Sequence, residues 1–500
     1  MTGRARGTLG VLALAVVLRV GLFAFAENKH GDAPMRALIA ERMVLEPASA
    51  AQPRTYCQFG PLHTTLMRPF IALDRDAARS SRYLSLLAGI AVFFPFWSLA
   101  RRLVGPRRAA FAAFALAVSP LHLQASTTAA SEALYLLLWV GAIERLLAAL
   151  DSGRLVTFVV AGLLGSLAAL TRYDAWLALP MLTAAAWFFP RRAGAPVRMT
   201  GLAAFAVAAA SLPIAWLAWG AAAGGDPLFF AHYISNDHAG LAATAAARYG
   251  ALLGRARQLG IWALAFAAGM TPLGLGLAIA AAAGRRDGAK PGDGAPLAPR
   301  MAITLLAALG PPAVYLARGL ATQSFEPLAR FGLVPGVLLL PFAATALPAA
   351  RLSATRWATA LGALGFCVAV WLVATAGGGR IWAGAESMGA LTRLDDEDRA
   401  LAAHLRATRP PGARVMIEPF AFAEIGIAHA AGIPWQEEVT LTITRTPRAT
   451  VRDSLLSTGA VFMVGYDRPG GWPDILPDWP RGSERFGHWI LIGRKDLPGL

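Results

Sequence analysis

Long apolar segments recur along almost the whole of this 500-residue chain. A helix that crosses the hydrocarbon core of a membrane needs about 20 mostly apolar residues, and runs of that size occur about eleven times. The approximate limits of these predicted spans are 8–26, 82–100, 108–124, 132–150, 155–170, 174–190, 200–222, 259–283, 301–318, 330–348 and 357–376. The sequence therefore predicts a mostly α protein built around a bundle of transmembrane helices.

Composition and charge agree with a membrane protein. Hydrophobic residues make up 56% of the chain and charged residues only 15%, whereas a soluble domain carries about 25% charged residues. The formal net charge of +16 comes from short Lys and Arg clusters between apolar runs, which is typical of cytoplasmic loops beside anionic headgroups. We therefore expect membrane lipids as partners and no nucleic acid.

The basic clusters also predict the orientation of the chain. If "MTGRARG" is cytoplasmic, every second loop should be basic, because Lys and Arg are retained on the cytoplasmic side. The basic loops are 101–108, 145–154, 190–198, 284–300 and 349–356. The far side, the periplasm if the membrane is a bacterial inner membrane, then receives 27–81, 125–131, 171–174, 223–258, 319–329 and the tail. This alternation requires that the first span is retained, although "AFAE" at 24–27 resembles a signal-peptide cleavage site.

Two domains are predicted. Residues 1–380 form the transmembrane domain, with a long first outer loop at 27–81 that includes the amphipathic stretch "APMRALIAERMVL". Residues 381–500 form a periplasmic α/β domain. In this tail the runs "RVMIEP", "AVFMVGY" and "HWILIGR" are typical of strands, and "FAEIGIAHAAG" is typical of a helix.

Several polar residues are predicted to gather on the far side of the membrane. They are Asp32 after the first span, Glu132 at the start of the fourth, Arg172, Tyr173 and Asp174 between two spans, and Arg330 at the start of the tenth. Charged groups at membrane depth are costly and so are functional candidates. Each also has a structural interpretation, as an interfacial anchor, a partner of a helix dipole or a local ion pair.

Read in order, these motifs resemble a known family. The acid after "GD", then "QFGPLHTTL", "ASEALY", "LTRYDAWLALP" and "ARFGLVPGVLLLPFAA" are similar to the membrane glycosyltransferases of the GT-C class that use polyprenyl-phosphate sugars. The closest likeness is to glycosyltransferase family 39, the protein O-mannosyltransferases, and its bacterial aminoarabinose transferase relatives. The likeness runs through roughly residues 8–350 and implies a GT-C-like bundle.

The resemblance implies roles for individual residues. Asp32 and Glu132 would be the catalytic acids, with Asp32 as the general base that takes the acceptor proton. Arg330 and Arg172 would bind the donor phosphate and stabilise its charge as it leaves. A single base with in-line displacement predicts inversion at the anomeric carbon. Tyr173 and Asp174 fall where relatives have a motif close to the donor. Apart from the resemblance, His63 or Gln58 would supply polar contacts at the Gly-Pro turn, and His232 on a predicted outer loop could contact the acceptor sugar.

The chain also departs from the family pattern. Many relatives have paired acids in the first loop, where Asp32 is flanked by Gly31 and Ala33, and aminoarabinose transferases have a Lys-Pro-Pro-like turn where this chain has Phe59-Gly60-Pro61. The acceptor, whether lipid, glycan or protein, therefore does not transfer with the resemblance.

Other interpretations stay open at this point. The segment 231–240 offers His232, Asp237 and His238 on a predicted outer loop, but such residues need no metal, so no cofactor is expected and a divalent cation is left open. A secondary transporter also has many helices and costly charges, but transporters are typically built from internal repeats and none is visible here. A non-catalytic scaffold for envelope assembly is the third alternative.

Overall fold

The fold is known from a computed structural model. It describes residues 3–29, 32–56, 58–74, 76–188, 199–270, 274, 297–322, 325, 327–346, 393–418, 423–440, 457–466 and 484–493. The predicted helix at 357–376, the second half of that at 259–283, and the basic segments 190–198, 349–356 and most of 284–300 lie outside these residues.

Helices make up the first and larger part of the chain. They are α1 (Gly3–Phe23), α2 (Ala33–Leu45), α3 (Pro61–Asp74), α4 (Ala77–Ser80), α5 (Tyr83–Ala91), α6 (Phe93–Ala117), α7 (Pro120–Thr127), α8 (Glu132–Ser152), α9 (Leu155–Thr171), α10 (Asp174–Phe188), α11 (Met199–Gly224), α12 (Phe229–Met270), α13 (Leu297–Thr322) and α14 (Leu333–Ala343). Short 3-10 turns lie at Pro47–Ala51, Pro53–Tyr56, Ala329–Gly332 and Ala344–Ala346.

Several of these helices match the predicted spans. Four described segments are long and apolar enough to cross a membrane, Ala77–Ala117, Glu132–Ser152, Met199–Gly224 and Pro299–Thr322. Three shorter apolar helices, Leu9–Phe23, Leu155–Thr171 and Arg330–Ala343, join them. The number eleven stays a prediction. The amphipathic stretch of the first outer loop forms α2, as the sequence predicts.

The predicted outer loop 223–258 was wrong in its secondary structure. From Phe229 onward this segment is the first part of α12, which breaks at Gly250, where φ is 70°. The segment is rich in alanine, which favours helix, but it is too polar to be recognised as a span. Its helicity was therefore invisible to a criterion based on long apolar runs.

Buried apolar side chains of α1 and of α5 to α14 form the main core. Arg19 of α1 is fully buried in this core. Its guanidinium donates to the carbonyl oxygens of Ala15 and Ala117, both at 3.1 Å. The buried guanidinium is therefore bonded to backbone carbonyl groups within the bundle.

The tail contains a small α/β unit. Its elements are α15 (Asp396–Thr408), β1 (Val415–Ile417), α16 (Ala423–Ala431), β2 (Glu438–Thr440), β3 (Phe462–Tyr466), β4 (Glu484–Phe486) and β5 (Trp489–Gly493). The strand order is β2-β1-β3-β5-β4. Strand β1 pairs in parallel with β2 and β3, while β5 pairs antiparallel with β3 and β4. The sequence predicted β1, β3, β5 and α16 but neither the three-residue edge strands nor α15.

The tail unit contacts the first outer loop on both sides of Asp32. Before Asp32, buried Lys29 pairs with Asp398 at 2.8 Å and also with Asp395. After it, Glu41 of α2 contacts His429 at 3.3 Å. The tail unit therefore lies at the same end of the bundle as Asp32.

Two titratable groups near Glu41, Glu438 and His429, have pKa values that are shifted in the folded protein. Burial, partly opposed by the charge of His429 and assisted by that of Glu41, raises the pKa of Glu438 to about 7. Burial lowers the pKa of His429, but the hydrogen bond and the charge of Glu41 outweigh this effect, so the net shift is upward. Both groups bind protons more tightly in the folded protein than in the unfolded chain, so the folded state is stabilised at low pH.

We expect the protein to lose stability between pH 5 and pH 8, because Glu438 and His429 release protons that the folded state holds more tightly. The part due to Glu438 is on the order of 2 kcal/mol. Unfolding of the detergent-solubilised protein at both pH values measures this loss. Glu438→Gln should show a smaller loss than the parent, and an equal loss in both proteins would contradict the assignment.

Candidate active site

A chain of alternating acids and guanidinium groups lies at one end of the bundle. Arg330 donates from Nη2 to Oδ1 of Asp32 at 3.0 Å, and its Nε lies 3.7 Å from Oε1 of Glu132. Arg172 donates from Nη1 to the same Glu132 oxygen at 2.5 Å and from Nε to Oδ2 of Asp174 at 2.8 Å. The structure thus brings together three predicted acids and both predicted cations.

Asp32, the residue immediately before α2, extends its side chain into this cluster. It occupies the N-cap position, but its side chain does not cap the helix and is used instead for ion pairs. Burial raises the pKa of Asp32, but the charges of Arg330, Arg36 and Arg172 lower it by more, so the net shift is downward. Asp32 is therefore held as a carboxylate, the form that a general base needs.

Glu132, Arg172 and Asp174 all stand at helix ends. Glu132 is the first residue of α8, Asp174 the first of α10, and Arg172 follows α9. The Phe59-Gly60-Pro61 turn fixes the end of α9, because a Cβ on Gly60 would lie 2.3 Å from the carbonyl oxygen of Leu170. Only glycine permits this approach.

Arg330 is positioned by another close backbone contact. It lies in the 3-10 turn Ala329–Gly332 that leads into α14. A Cβ on Gly332 would come within 1.9 Å of the carbonyl oxygen of Ala265 in α12. This contact packs the turn against α12 and so fixes the backbone position of Arg330.

A cavity of about 440 Å³, counted out to its open mouth, adjoins the cluster. Its charged lining residues are Glu132, Arg172, Asp174 and Arg330. Aromatic and apolar residues cover the rest of the wall, namely Tyr135, Trp262, Ala307, Ala308, Pro311, Pro312, Tyr315, Phe331, Val334 and Pro335. Such a wall suits a ligand with one charged group and an apolar remainder.

The other predicted substrate residues lie outside the chain of ion pairs. Tyr173 donates to the carbonyl oxygen of Phe59 at 3.2 Å and stacks on Phe230. His63 is buried and contacts Ser85 at 3.2 Å. Gln58 lies in the turn before α3. His232 is largely exposed and pairs with Asp226 at 3.0 Å, on a helix where a loop was expected.

Two cluster residues were missed by the sequence analysis. Arg36 lies one helical turn after Asp32, with its Nη2 3.8 Å from Oδ2 of Asp32, and its guanidinium covers the ring of Phe59 at 4.3 Å. The i, i+4 spacing is a signal that could have identified it. Tyr315 donates to Oδ1 of Asp174 at 3.0 Å, and no local pattern in α13 indicates this contact.

Within the described part of the chain, no group of three or more His, Cys, Asp or Glu side chains is arranged to hold a metal ion. The cluster acids are instead separated from one another by guanidinium groups, a donor set that repels cations. The described acids of the cluster, as they are paired here, therefore do not fit a divalent metal.

Comparison with known proteins supports the predicted class. Residues 58–219 match the family model for dolichyl-phosphate-mannose-protein mannosyltransferase. No curated protein matches the sequence. The structure resembles ArnT from Cupriavidus metallidurans bound to undecaprenyl phosphate, with a TM-score of 0.62 and 15% identity over 98% of each chain.

Two further solved structures share the fold. ArnT from Cupriavidus metallidurans in the apo state has a TM-score of 0.60 and 15% identity, over 97% of each chain. The apo oligosaccharyltransferase of Archaeoglobus fulgidus has a TM-score of 0.55 and 13% identity, over 93% of this chain and 69% of that one. These findings confirm the predicted resemblance and fold class: the protein is an integral membrane protein with the mostly α GT-C fold and a small α/β unit, and its residues 58–219 match a mannosyltransferase family.

Proposed function

We propose that this protein is a glycosyltransferase that moves a sugar from a polyprenyl-phosphate donor to a lipid, glycan or protein acceptor. The reaction takes place at the outer face of a bacterial inner membrane. The N-terminus is cytoplasmic, and the C-terminal domain, residues 381–500, is periplasmic. The alternation of basic loops along the sequence supports this orientation.

One observation carries the proposal. Asp32, Glu132 and Arg330 come from three distant parts of the chain and meet through ion pairs of 3.0 and 3.7 Å. Glu132 and Arg330 line a single cavity, and Asp32 is bonded to one of them. A base and a phosphate-binding cation must stand this close if proton removal and phosphate departure belong to one reaction.

The donor would be bound by its phosphate and its prenyl chain. A guanidinium binds phosphate oxygens through charge-assisted, often bidentate hydrogen bonds, which suits Arg330 and Arg172. The apolar wall of the cavity, with Trp262, Phe331 and Val334, suits the first isoprene units. The similar ArnT structure with undecaprenyl phosphate supports a lipid phosphate as ligand.

The chemical step follows from these positions. The acceptor O–H transfers its proton to the Asp32 carboxylate while its oxygen forms a bond to the anomeric carbon. The bond between that carbon and the phosphate oxygen breaks, and the electron pair leaves with the polyprenyl phosphate. Arg330 and Arg172 stabilise the added negative charge. One displacement gives a product of inverted configuration.

The two rival functions are less well supported. A transporter would have its charged groups along a path through the membrane with a gate on each side. The charged cluster of this protein instead lies at one end of the bundle, where several helices begin or end. A scaffold has no use for buried acids paired with cations around an open cavity. The match to a mannosyltransferase family and the GT-C fold favour transfer.

Asp32→Asn should abolish most of the transfer, because the amide cannot accept the proton of the acceptor. We expect kcat to fall by about 10²–10⁴-fold, the usual contribution of a general base. Purified protein, a radiolabelled polyprenyl-phosphate sugar and envelope extract provide the assay. Glu46→Gln, which changes an exposed acid that follows the same helix, should retain activity. Equal transfer by Asp32→Asn and the parent would remove Asp32 from the mechanism.

Arg330→Gln should weaken donor binding, because a neutral amide replaces charge-assisted bonds to the phosphate. Loss of a hydrogen bond to a charged group costs about 1.5–3 kcal/mol, so the KM for the donor should rise by about 10-fold or more. Steady-state kinetics over a range of donor concentrations measures the change. An unchanged KM for the donor would assign phosphate binding to another residue.

A further inference from the structure

Arg330 is shared between two carboxylates, and each of those carboxylates has a second cation. Arg330 lies 3.0 Å from Oδ1 of Asp32, and Nη2 of Arg36 lies 3.8 Å from the other oxygen, Oδ2. Glu132 is also paired with Arg172 at 2.5 Å. An unpaired buried charge is strongly unfavourable. Because each acid has a second cation, neither would become unpaired if Arg330 moved away.

The three guanidinium groups differ in how accessible they are. The side chain of Arg330 is 19% exposed, that of Arg172 11% and that of Arg36 only 3%. Arg330 and Arg172 line the cavity, and Arg172 is held by bonds to both Glu132 and Asp174. A phosphate entering the cavity therefore meets Arg330 as the cation whose release disturbs the cluster least.

Arg36 is placed where its guanidinium can pair with Asp32 when Arg330 moves away. It stands on the same helix as Asp32, and Phe59 supports its guanidinium from one side at 4.3 Å. Its Nε and Nη1 are buried and, among the described residues, have no hydrogen-bond partner. A guanidinium with unused donors gains free energy when it closes on a carboxylate.

We propose that Arg36 is a positioning residue that keeps Asp32 ionised while Arg330 is engaged with the donor phosphate. This inference rests on the proposed function. Before donor binding, Arg330 and Arg36 both face Asp32. After donor binding, Arg330 turns to the phosphate and Arg36 closes on Asp32, so the base stays deprotonated in the complex that reacts.

The charged and titratable groups that face Asp32 all bear on the pH dependence. They are Arg36 on its own helix, Arg330 before α14, Arg172 after α9, and His238 on α12. Glu132 adds a negative charge through its contact with Arg330. With Arg330 withdrawn, Arg36 is the cation that, among the described residues, stays paired with Asp32.

Arg36→Gln should therefore shift the acidic limb of kcat to higher pH. Loss of an opposite charge at this distance raises the pKa of a carboxylate by about one unit or more. The profile of kcat reports the donor-bound enzyme and that of kcat/KM the free enzyme. Because Arg330 still pairs with Asp32 in the free enzyme, the limb of kcat/KM should shift less.

Matched variants separate this role from a structural one. Arg36→Lys keeps a cation and should restore the parent limb, and Arg42→Gln, a half-exposed arginine on the same helix, should leave it unchanged. A folded Arg36→Gln protein with lower activity but the parent limb would overturn the proposal. If Arg36→Gln does not fold, Phe59→Leu, which removes the support of the guanidinium, should give a smaller upward shift, and an unchanged limb there would equally overturn it.

The failure of the proposed function would look different from the failure of this inference. A parent protein that transfers no sugar from any polyprenyl-phosphate donor would refute the function itself. A parent that transfers sugar, with Arg36 variants that leave the limb of kcat in place, would refute only the role of Arg36.

Redundant pairing also predicts an order of stabilities in the donor-free protein. Arg330→Gln leaves Asp32 paired with Arg36 and Glu132 paired with Arg172, whereas Arg172→Gln removes the ion-pair partner of Asp174 and leaves it, among the described residues, with the hydrogen bond from Tyr315. Arg172→Gln should therefore lower Tm by more than Arg330→Gln. A larger decrease in Tm for Arg330→Gln than for Arg172→Gln would show that the other ion pairs do not compensate for the loss of Arg330, which would contradict the proposal.

Discussion

The contact between Asp32 and Arg330 joins positions 298 residues apart in the chain, and the whole end of the bundle depends on it. A charge that is buried without a partner is far less stable than one in water, so each of the two side chains needs a partner of opposite charge, and in the donor-free protein each supplies one to the other. The segment before α2 and the turn before α14 must therefore reach the same place. The glycine contacts at Gly60 and Gly332 make room for that meeting, because any side chain there would hold the backbones apart.

The three acids of the cluster and Arg172 stand at helix ends, and Arg330 lies in the turn before α14. Asp32, Glu132 and Asp174 stand at N-termini, where the helix dipole favours negative charge, and Arg172 follows a C-terminus, where it favours positive charge. Ends are also where backbone direction changes, so side chains from many helices can converge there. The result is a polar site at the margin of an apolar bundle, which is where a ligand with a charged head and a lipid tail can be met.

This dependence on helix ends explains what the sequence could predict. Apolar runs show where spans begin and end, so an acid at a boundary such as Glu132 or Asp174 stands out without any knowledge of the fold. The amphipathic helix α2 and the strands β1, β3 and β5 follow from local periodicity for the same reason. The main features of the fold were thus predictable, and so were the three acids of the cluster and two of its arginines, Arg172 and Arg330.

What could not be predicted depends on contacts between distant segments. Tyr315 lies in the interior of an apolar helix, and only the packing of α13 beside α10 brings its hydroxyl to Asp174. The helix at 229–249 was missed because it is rich in alanine and interrupted by polar residues, and so lacks the long apolar run by which spans were recognised. His232 shows the opposite error, since a polar residue on the predicted far side lies away from the cluster.

The pairing pattern also bears on how charge would move during transfer. In the donor-free protein the acids Asp32, Glu132 and Asp174 are matched by three arginines. In the proposed donor complex, Arg330 has turned to the phosphate and Arg36 pairs with Asp32. Proton transfer then removes the negative charge of Asp32 beside Arg36, while the departing phosphate gains a negative charge beside Arg330. Two neighbouring guanidinium groups would thus serve the base and the leaving group, and the surrounding pairs keep the other acids neutralised throughout.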